Sequence, residues 1–419
     1  QQKYNLRLKK IENKSFYKNF LKLGFNFYSK ISKQFIRKDD AFIINTFLPT
    51  EKEAKLELAL GQFPQFWKYH WNKNFQFELT KKIPDNLIRQ NLKKKFLDNS
   101  CENLENIIRH LLFEYFPVCY LEGFEDLFNK LKKQPWPKFP KFIFTSNNFY
   151  LDEVFKLYAA LNVESGKKYY VGQHGGNYGT QRYKSPRVEE LTVDKFITWG
   201  WTNGMSQHTP GFILKNAGKK KLNFNPSGSL LLVEHGYTKH DATYDKKFDF
   251  IKYLYNQQTF VNHLNKKPRD NLIVRLFNVN YQKEDWNDEL RWREFDSKLK
   301  IDNGIKKINN LISQSRLTVY SYDSTGMLET LSDNIPTIAF WGNEVALLDS
   351  AKPYYQLLAD VGIIHFSAIS AAEKINEIWD DVENWWTQSN VQKAREQFCH
   401  RYARKSQNPV TELKQILLS

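Results

Sequence analysis

Residues 317–329 read LTVYSYDSTGMLE, an apolar stretch that runs directly into polar turn formers and then into a helical pattern. LTVYS predicts a buried strand, and residues 327–332 predict the helix that follows it. Asp323 or Ser324 can cap that helix, because either side chain can accept a hydrogen bond from its first backbone N–H groups. The stretch therefore predicts a strand–turn–helix unit of the kind that builds parallel sheets.

The same alternation of strands and helices continues on both sides of this unit. Strands are predicted at 141–145, 167–172, 195–199, 229–233, 271–276, 335–340 and 362–366, and helices at 152–162, 246–264, 302–314 and beyond residue 371. Residues 223–228 (NFNPSG) are rich in turn formers and predict a linker between two βα series. The pattern predicts an α/β protein with two Rossmann-like domains that face a cleft, whose ligands bind beyond the carboxyl ends of the strands.

Composition narrows the class of protein. The chain has 419 residues, 41% of them hydrophobic, and a formal net charge of +16. The length predicts two or three domains, and the composition is globular rather than disordered. The sequence has no apolar run of about 18 residues, the length that a membrane-spanning helix requires. Its three cysteines lack metal-ligand spacing, which predicts a cytoplasmic protein without disulfides.

The basic charge has several possible partners. Residues 1–40 interleave Lys and Arg with aromatic side chains, and such a segment can lie on an anionic membrane surface. An ordinary surface helix with its aromatic side chains packed inward is compatible with the same pattern. Nucleic acid is not an expected partner, because the sequence contains no recognisable RNA- or DNA-binding module.

The turn after 317–321 has the features of a phosphate site. Ser324 and Thr325 open the predicted helix, whose first N–H groups carry a partial positive charge of roughly half a unit. Both hydroxyls can donate to phosphate oxygens, and Gly326 follows them directly. Glu329, about one turn on, can direct its carboxylate toward a ribose diol. Plain helix capping is the alternative interpretation, and it is compatible with phosphate binding.

A glycine-rich turn follows the strand at 167–172. Its residues are Gln173, His174, Gly175, Gly176, Asn177, Tyr178 and Gly179. Glycines allow the backbone to approach a ligand closely, and a histidine at a strand end can act as general base at neutral pH. The spacing matches neither a dinucleotide-binding loop nor a Walker loop. A tight turn with a structural histidine is the alternative.

Weaker candidates follow two other strands. Arg275 and Asn278 lie at the end of the strand at 271–276, where an arginine can bind a phosphate or a sugar carboxylate, or pair with a neighbouring acid. Glu234 and His235, with Tyr237 nearby, follow the strand at 229–233. We expect these side chains to point toward the same cleft.

The motifs that are missing also narrow the chemistry. The sequence contains no D-x-D pair, no His/Cys/carboxylate cluster with zinc spacing and no G-x-S-x-G. We therefore expect a reaction without a metal or other cofactor. Such a reaction needs a helix start or a cation to stabilise a departing phosphate, and Ser324–Thr325 with Arg275 can supply both.

Several stretches resemble one family. Residues 173–179 (QHGGNYG), 196–201 (FITWGW) and 324–341 (STGMLETLSDNIPTIAFW) resemble a bacterial family of surface-polysaccharide transferases, as do 349–355, 361–365, 377–386 and 392–402. The likeness is dense over residues 140–419 and loose before them. Members of the family begin well before Gln1, so we expect a missing N-terminal segment.

That family is distantly similar to capsule transferases that move Kdo and other ulosonic acids from CMP-activated donors. The resemblance implies a metal-independent GT-B glycosyltransferase, with Ser324, Thr325 and Glu329 at the donor's phosphate and ribose. It implies a CMP-linked nonulosonate as the preferred donor and a cell-surface glycan or lipid-linked glycan as acceptor. The His-Pro pair of many such enzymes is missing, and Arg275 can replace it. UDP-, GDP- or dTDP-sugars, or a non-catalytic membrane-associated role in glycan assembly, are the alternatives.

The resemblance and the strand pattern together imply four parts. Residues 1–135 form a mostly helical region on the acceptor side, 136–226 an acceptor domain, 227–387 a nucleotide-sugar donor domain, and 388–419 helices that pack back on the acceptor domain. We expect a cytoplasmic protein that can contact the inner face of the membrane peripherally.

Overall fold

The computed structural model describes residues 27–28, 31–67, 83–96, 104–150, 152–182, 186–236, 244–277, 287–342 and 347–419. The chain folds into two compact units, residues 1–172 and 173–419. Most of the basic segment 1–40 lies outside the described residues, as do Tyr237 and Asn278.

The first unit contains parallel strands and helices. Its strands are β1 (Phe42–Ile44), β2 (Phe142–Thr145) and β3 (Lys168–Gly172), and its helices are α1 (Thr50–Ala59), α2 (Asn86–Phe96), α3 (Leu104–Tyr115), α4 (Phe124–Lys132) and α5 (Glu153–Glu164). The strand β2 pairs in parallel with both β1 and β3. Phe42 packs against Trp136 and Tyr158, each with ring centroids 4.9 Å away. Aromatic side chains thus form much of this core.

The second unit holds the remaining elements. Its strands are β4 (Lys195–Thr198), β5 (His208–Pro210), β6 (Ser229–Val233), β7 (Leu272–Arg275), β8 (Lys300–Asp302), β9 (Ser315–Tyr320), β10 (Thr337–Phe340) and β11 (Ile364–His365). Its helices are α6 (Val188–Leu191), α7 (Tyr244–His263), α8 (Lys266–Asp270), α9 (Asp288–Phe295), α10 (Ile308–Ser313), α11 (Thr325–Ser332), α12 (Lys352–Asp360), α13 (Ala368–Ile378), α14 (Val382–Thr387), α15 (Ser389–Tyr402) and α16 (Pro409–Leu418). Among the described residues, every helix is too short or too polar to cross a membrane.

The large sheet of the second unit has Rossmann topology. Six parallel strands lie in the order β11-β10-β9-β6-β7-β8. From β6 the chain builds outward through β7 and β8, and then crosses over to build β9, β10 and β11 on the other side. This order is that of the doubly wound dinucleotide-binding fold, which reverses between its first and fourth strands. Because β6 and β9 are those strands, the topological switch point lies between them.

The predicted α/β, GT-B-like fold class is confirmed for each unit taken by itself, since both units consist of parallel strands and helices. The predicted strand–turn–helix at 317–332 is confirmed as β9 followed by α11. Two details were not predicted. The short strand β1 lies within the region predicted to be mostly helical, and the helix predicted at 302–314 begins only at Ile308, because β8 ends at Asp302.

The C-terminal helices contact the segment around β4 and β5. The Arg404 N–H donates to the Trp199 carbonyl at 3.0 Å, and the Ile213 N–H donates to the Arg404 carbonyl at 2.9 Å. An added Cβ at Gly200 would lie 2.6 Å from the His400 carbonyl oxygen, so glycine is needed at this approach. The predicted domain limits at 135, 226 and 387 stay predictions.

Candidate functional site at the switch point

The candidate site is built from the segments that leave β6 and β9. The two strands pair in parallel, with Val233 opposite Tyr320. Glu234 and His235 leave the carboxyl end of β6, and residues 321–324 leave the adjacent end of β9. Ligands of doubly wound sheets bind at this reversal of strand order. The predicted strand-end residues of β6 and β9 therefore lie side by side.

The helix α11 begins with a side-chain cap. Ser324 is the N-cap residue, has extended backbone angles and accepts a hydrogen bond at Oγ from the Met327 N–H at 2.9 Å. Its side chain is buried. The capping interpretation is thus confirmed for Ser324. The cap satisfies the Met327 N–H, and the first turn of any helix has further N–H groups without intrahelical acceptors.

The glycine-rich turn lies directly on this helix start. The Gly176 N–H donates to Thr325 Oγ1 at 2.8 Å. A Cβ at Gly176 would lie 3.3 Å from the Thr325 backbone nitrogen, and one at Gly175 would lie 3.5 Å from Thr325 Oγ1. Since its oxygen accepts from Gly176, the Thr325 hydroxyl can direct its own proton elsewhere, including to a phosphate oxygen. The two strongest sequence signals therefore meet at one place.

Gln173 anchors the turn to the protein interior. Its Oε1 accepts from the backbone N–H of Trp199 at 3.0 Å and from the indole Nε1 of Trp201 at 2.8 Å. Its Nε2 donates to the Gly175 carbonyl at 2.8 Å. The side chain is buried. Gln173 was expected in the cleft, whereas its amide holds the turn in place.

A second connection joins the turn to the residues before α11. The Gln181 Nε2 donates to Asn177 Oδ1 at 2.9 Å and to Asp323 Oδ2 at 3.1 Å. Asp323 Oδ2 also accepts from the Tyr355 hydroxyl at 3.0 Å. Burial, and then the nearby Asp323 carboxylate, raise the pKa of Tyr355 well above its ordinary value. Asp323 is thus a buried acceptor that fixes the turn.

His174 lies in a chain of polar side chains. Its Nδ1 is 3.2 Å from the Tyr178 hydroxyl, which donates to Glu189 Oε1 at 2.5 Å. The two rings are nearly perpendicular, with centroids 5.4 Å apart. Tyr178 and Glu189 are buried, and His174 is partly exposed. The histidine proposed as base is therefore held in a defined orientation.

On the β6 side of the switch point, Glu234 is a buried acid. Its Oε1 accepts from Trp292 Nε1 at 2.6 Å and from Arg291 at 3.3 Å. Burial raises the pKa of Glu234 to about 7, although Arg291 opposes the shift. The carboxyl group faces Trp292 and Arg291 of α9, which supply its hydrogen bonds.

His235 and Tyr322 form an aromatic pair across the switch point. Their ring centroids are 4.5 Å apart and the rings are inclined by 18°, which is a stacked arrangement. The His235 backbone N–H donates to the Tyr253 hydroxyl at 2.6 Å. Burial raises the pKa of Tyr322 to about 12. The two rings thus pack on each other where β6 and β9 end.

Two other predicted donor-binding residues, Arg275 and Glu329, make ion pairs. Arg275 Nε lies 3.2 Å from Asp302 Oδ1, and the guanidinium also donates to the carbonyls of Leu276 and Lys306. The alternative given for Arg275, a neighbouring acid, is thus what the structure contains. The Glu329 carboxylate accepts from Lys215 Nζ at 2.8 Å, so its predicted ribose contact stays a prediction.

Gly326 has a packing role. A Cβ at this position would lie 2.7 Å from the Tyr320 ring, so the glycine allows α11 to approach its own strand.

Three residues of the site, Gln181, Glu189 and Tyr322, were not predicted from the sequence. Gln181 lies four residues after Asn177, and Tyr322 lies between the strand at 317–321 and Ser324, but Glu189 carries no local signal.

A family profile matches almost the whole chain. The profile of the LIC12162 family transferase matches residues 1–417. The chain belongs to this transferase family. It is therefore an enzyme, and the likeness that we had expected over residues 140–419 extends through the first 140 residues as well. No curated protein matches the chain.

Solved structures offer a more distant likeness. The pneumococcal O-GlcNAc transferase GtfA, in complex with UDP and GlcNAc, is 12% identical over 69% of this chain and 58% of its own, with a TM-score of 0.42. MurG of Acinetobacter baumannii is 12% identical over 91% and 99%, with a TM-score of 0.42. The spinosyn rhamnosyltransferase SpnG, complexed with thymidine diphosphate, is 9% identical over 90% and 100%, with a TM-score of 0.40. The chain thus spans 58% of the length of GtfA, and overlaps at this level do not identify a shared activity.

Proposed function

We propose that this transferase is a GT-B glycosyltransferase that takes a sugar from a nucleotide-activated donor. One observation carries the proposal. The glycine-rich turn is hydrogen-bonded through Gly176 to Thr325, at the start of α11 and at the switch point of a Rossmann sheet. This arrangement combines a helix start, a hydroxyl and closely approaching backbone, which together suit a phosphate group.

The donor's phosphate would lie at the first turn of α11. The N–H groups of this turn and the Thr325 hydroxyl can donate to its oxygens. The Ser324 hydroxyl caps the helix, so its role is to fix the geometry of that turn. The stacked His235–Tyr322 pair offers a surface for a planar base or sugar ring beside the phosphate.

The reaction would be a displacement at the anomeric carbon of the donor sugar. An acceptor hydroxyl oxygen forms a bond to that carbon while the bond from the carbon to the phosphate oxygen breaks. The electron pair of the broken bond leaves with the nucleotide, and the start of α11 stabilises the charge. The proton of the acceptor hydroxyl passes to His174. No metal or other cofactor is required by this scheme.

The preferred donor is a CMP-linked nonulosonic acid, such as Kdo or a sialic-acid-like sugar, and UDP-, GDP- and dTDP-sugars are the alternatives. The preference rests on the resemblance of Ser324, Thr325 and Glu329 to the donor stretch of the capsule transferases. Arg275, the expected replacement for the missing His-Pro pair, pairs with Asp302, so this ion pair adds no support to the CMP preference. The proposed acceptor is a cell-surface or lipid-linked glycan, which the enzyme would meet at the cytoplasmic face of the membrane.

Nucleotide binding tests the proposal. We expect at least one of CMP, UDP, GDP and dTDP to raise the melting temperature, and Ser324→Ala with Thr325→Ala to abolish the rise. Ser367→Ala is the matched control, because Ser367 caps α13 in the same way as Ser324 caps α11. Slow hydrolysis of the matching nucleotide sugar should persist in EDTA. A panel without any shift, or a double variant that binds like wild type, would overturn the proposal.

A further inference from the structure

The side chains around His174 form a continuous chain that ends in a carboxylate. We call Glu189, Tyr178 and His174 the relay. The Tyr178 hydroxyl is 2.5 Å from Glu189 Oε1 and 3.2 Å from His174 Nδ1. Tyr178 is 1% exposed and Glu189 is 7% exposed, so the hydrogen bond between them is shielded from water, while the bond to His174 is partly buried. Shielded hydrogen bonds are stronger and more directional than exposed ones.

The chemistry of the three side chains determines which group donates and which accepts in each hydrogen bond of the relay. A carboxylate accepts hydrogen bonds and does not donate them, so the Tyr178 O–H donates to Glu189. The lone pairs of the phenol oxygen then accept a proton from the other side. His174 Nδ1 must carry that proton, which makes Nε2 the basic nitrogen of the neutral ring.

Arg187 holds the middle of the relay. Its guanidinium lies 3.8 Å from the centre of the Tyr178 ring, within the range of a cation–π interaction. Its Nη1 is also 3.9 Å from Glu189 Oε1, which offsets the charge of the buried carboxylate. The phenol is therefore held both at its face and at its hydroxyl.

We propose that Tyr178 and Glu189 are positioning residues that hold His174 in the Nδ1–H form, with Nε2 as the atom that receives the acceptor's proton. The role of His174 rests on the proposed function. Within the relay, Tyr178 and Glu189 together have the role of the acid in a Ser-His-Asp triad. That acid fixes the tautomer and orientation of the imidazole without itself being protonated. Here a phenol lies between the acid and the imidazole.

Nitrogen NMR of the wild-type protein tests the tautomer without any substrate. With ¹⁵N-labelled histidine at alkaline pH, and His174→Gln to assign the signal, we expect a protonated Nδ1 and a bare Nε2. Tyr178→Phe removes the acceptor and should abolish this preference. A wild-type His174 that carries its proton on Nε2 would overturn the inference, whatever the activity of the enzyme.

Kinetics distinguish positioning from a purely structural role. Tyr178→Phe should lower kcat by roughly 100-fold, while KM for the nucleotide sugar stays close to wild type. Glu189→Gln keeps an acceptor for the Tyr178 hydroxyl and should retain more activity than Glu189→Ala. Tyr158→Phe is the matched control, since it removes another buried phenol hydroxyl, bonded to the Pro137 carbonyl at 2.7 Å.

The two proposals can fail separately. If Tyr178→Phe changes the melting temperature but leaves kcat and the His174 tautomer as in wild type, the relay is structural and the inference is wrong. If wild type acts on no nucleotide sugar while its His174 carries the Nδ1 proton, the proposed function is wrong and the orientation of His174 stands.

Discussion

The carboxyl ends of β9 and β7 belong to the same sheet and carry similar sequence signals, yet they have different surroundings. Beyond β9, the helix start at Ser324 meets the glycine-rich turn through Thr325 and Gly176. At the end of β7, Arg275 pairs with Asp302 of the neighbouring β8 and with nearby carbonyls. The difference follows from strand order, because β9 borders the switch point and β7 does not.

The comparison shows that a polar residue at a strand end does not by itself predict a binding site, because the position of the strand in the sheet also matters. At the switch point the connections of two adjacent strands leave in opposite directions, so the strand ends are open to a ligand. Elsewhere the next strand supplies a partner, as β8 does for Arg275. Strand order thus explains why Arg275 pairs with Asp302, whereas at the switch point Glu234 takes its partners, Trp292 and Arg291, from a helix.

The largest expected effect tests the β7 side of the comparison. Arg275→Ala should lower the free energy of unfolding by about 3 kcal/mol, because the buried Asp302 carboxylate loses its counter-charge. Nucleotide binding should stay as in wild type. Urea denaturation and nucleotide titration measure the two quantities. Lys267→Ala is the control, since its pair with Asp380 is exposed on both sides and should contribute about 1 kcal/mol or less. A stable Arg275→Ala variant that no longer binds nucleotide would reverse the comparison.

An effect of similar size tests the β6 side, through Glu234. Its folded pKa of about 7 lies above the ordinary 4.5, so the folded state holds a proton that the unfolded chain has released. Protonation of Glu234 therefore contributes to the free energy of unfolding in full below the ordinary pKa, and this contribution is lost as pH rises to about 7. The contribution at acidic pH is on the order of 3 kcal/mol.

Glu234→Gln should remove this slope, so wild type should lose stability relative to the variant as pH rises from 4.5 to about 7. Denaturant melts at several pH values measure it. Glu289→Gln, which removes an exposed carboxylate from α9, should leave the slope unchanged. A slope that survives in Glu234→Gln would assign the proton to another group.

The smallest effect sharpens the contact between the glycine-rich turn and α11. In Gly176→Ala the new Cβ would lie 3.3 Å from the Thr325 nitrogen, so the turn must shift by a few tenths of an ångström. We expect a stability loss of less than about 1 kcal/mol together with severalfold weaker nucleotide binding. Gly175→Ala is the neighbouring control, because its Cβ makes only ordinary contact at 3.5 Å. Equal nucleotide affinity in both variants would show that the spacing at Gly176 is unimportant.

Much of the second unit could be predicted, because its strands are apolar runs that end in turn formers. β6 has the predicted bounds, and β9 and α11 differ from theirs by a few residues at most. β8 could not be predicted. It is a three-residue edge strand, and its Asp302 is followed by Gly304 with φ +86°, which separates it from the helix at Ile308. A helical pattern from Ile308 to Ile312 extended the prediction backward across this break.

The candidate site was partly predictable for a different reason. Ser324, Thr325 and His174 follow strands directly, so their neighbourhood depends only on strand order. The partners of the site come from farther along the chain, and single-residue signals do not reveal them. Glu189 reaches Tyr178 from α6, and Asp302 reaches Arg275 from β8. β1 was missed because a fully buried run of three residues has neither the period of a strand nor that of a helix.

Gln173 connects the glycine-rich turn to two indole groups. Trp199 Nε1 donates to its carbonyl at 3.0 Å and Trp201 Nε1 to its side-chain oxygen at 2.8 Å, and both rings are buried. The protein thus carries two intrinsic reporters in its interior. Movement of the turn during turnover should displace both indole N–H resonances, so the enzyme's working cycle can be followed without attaching a probe.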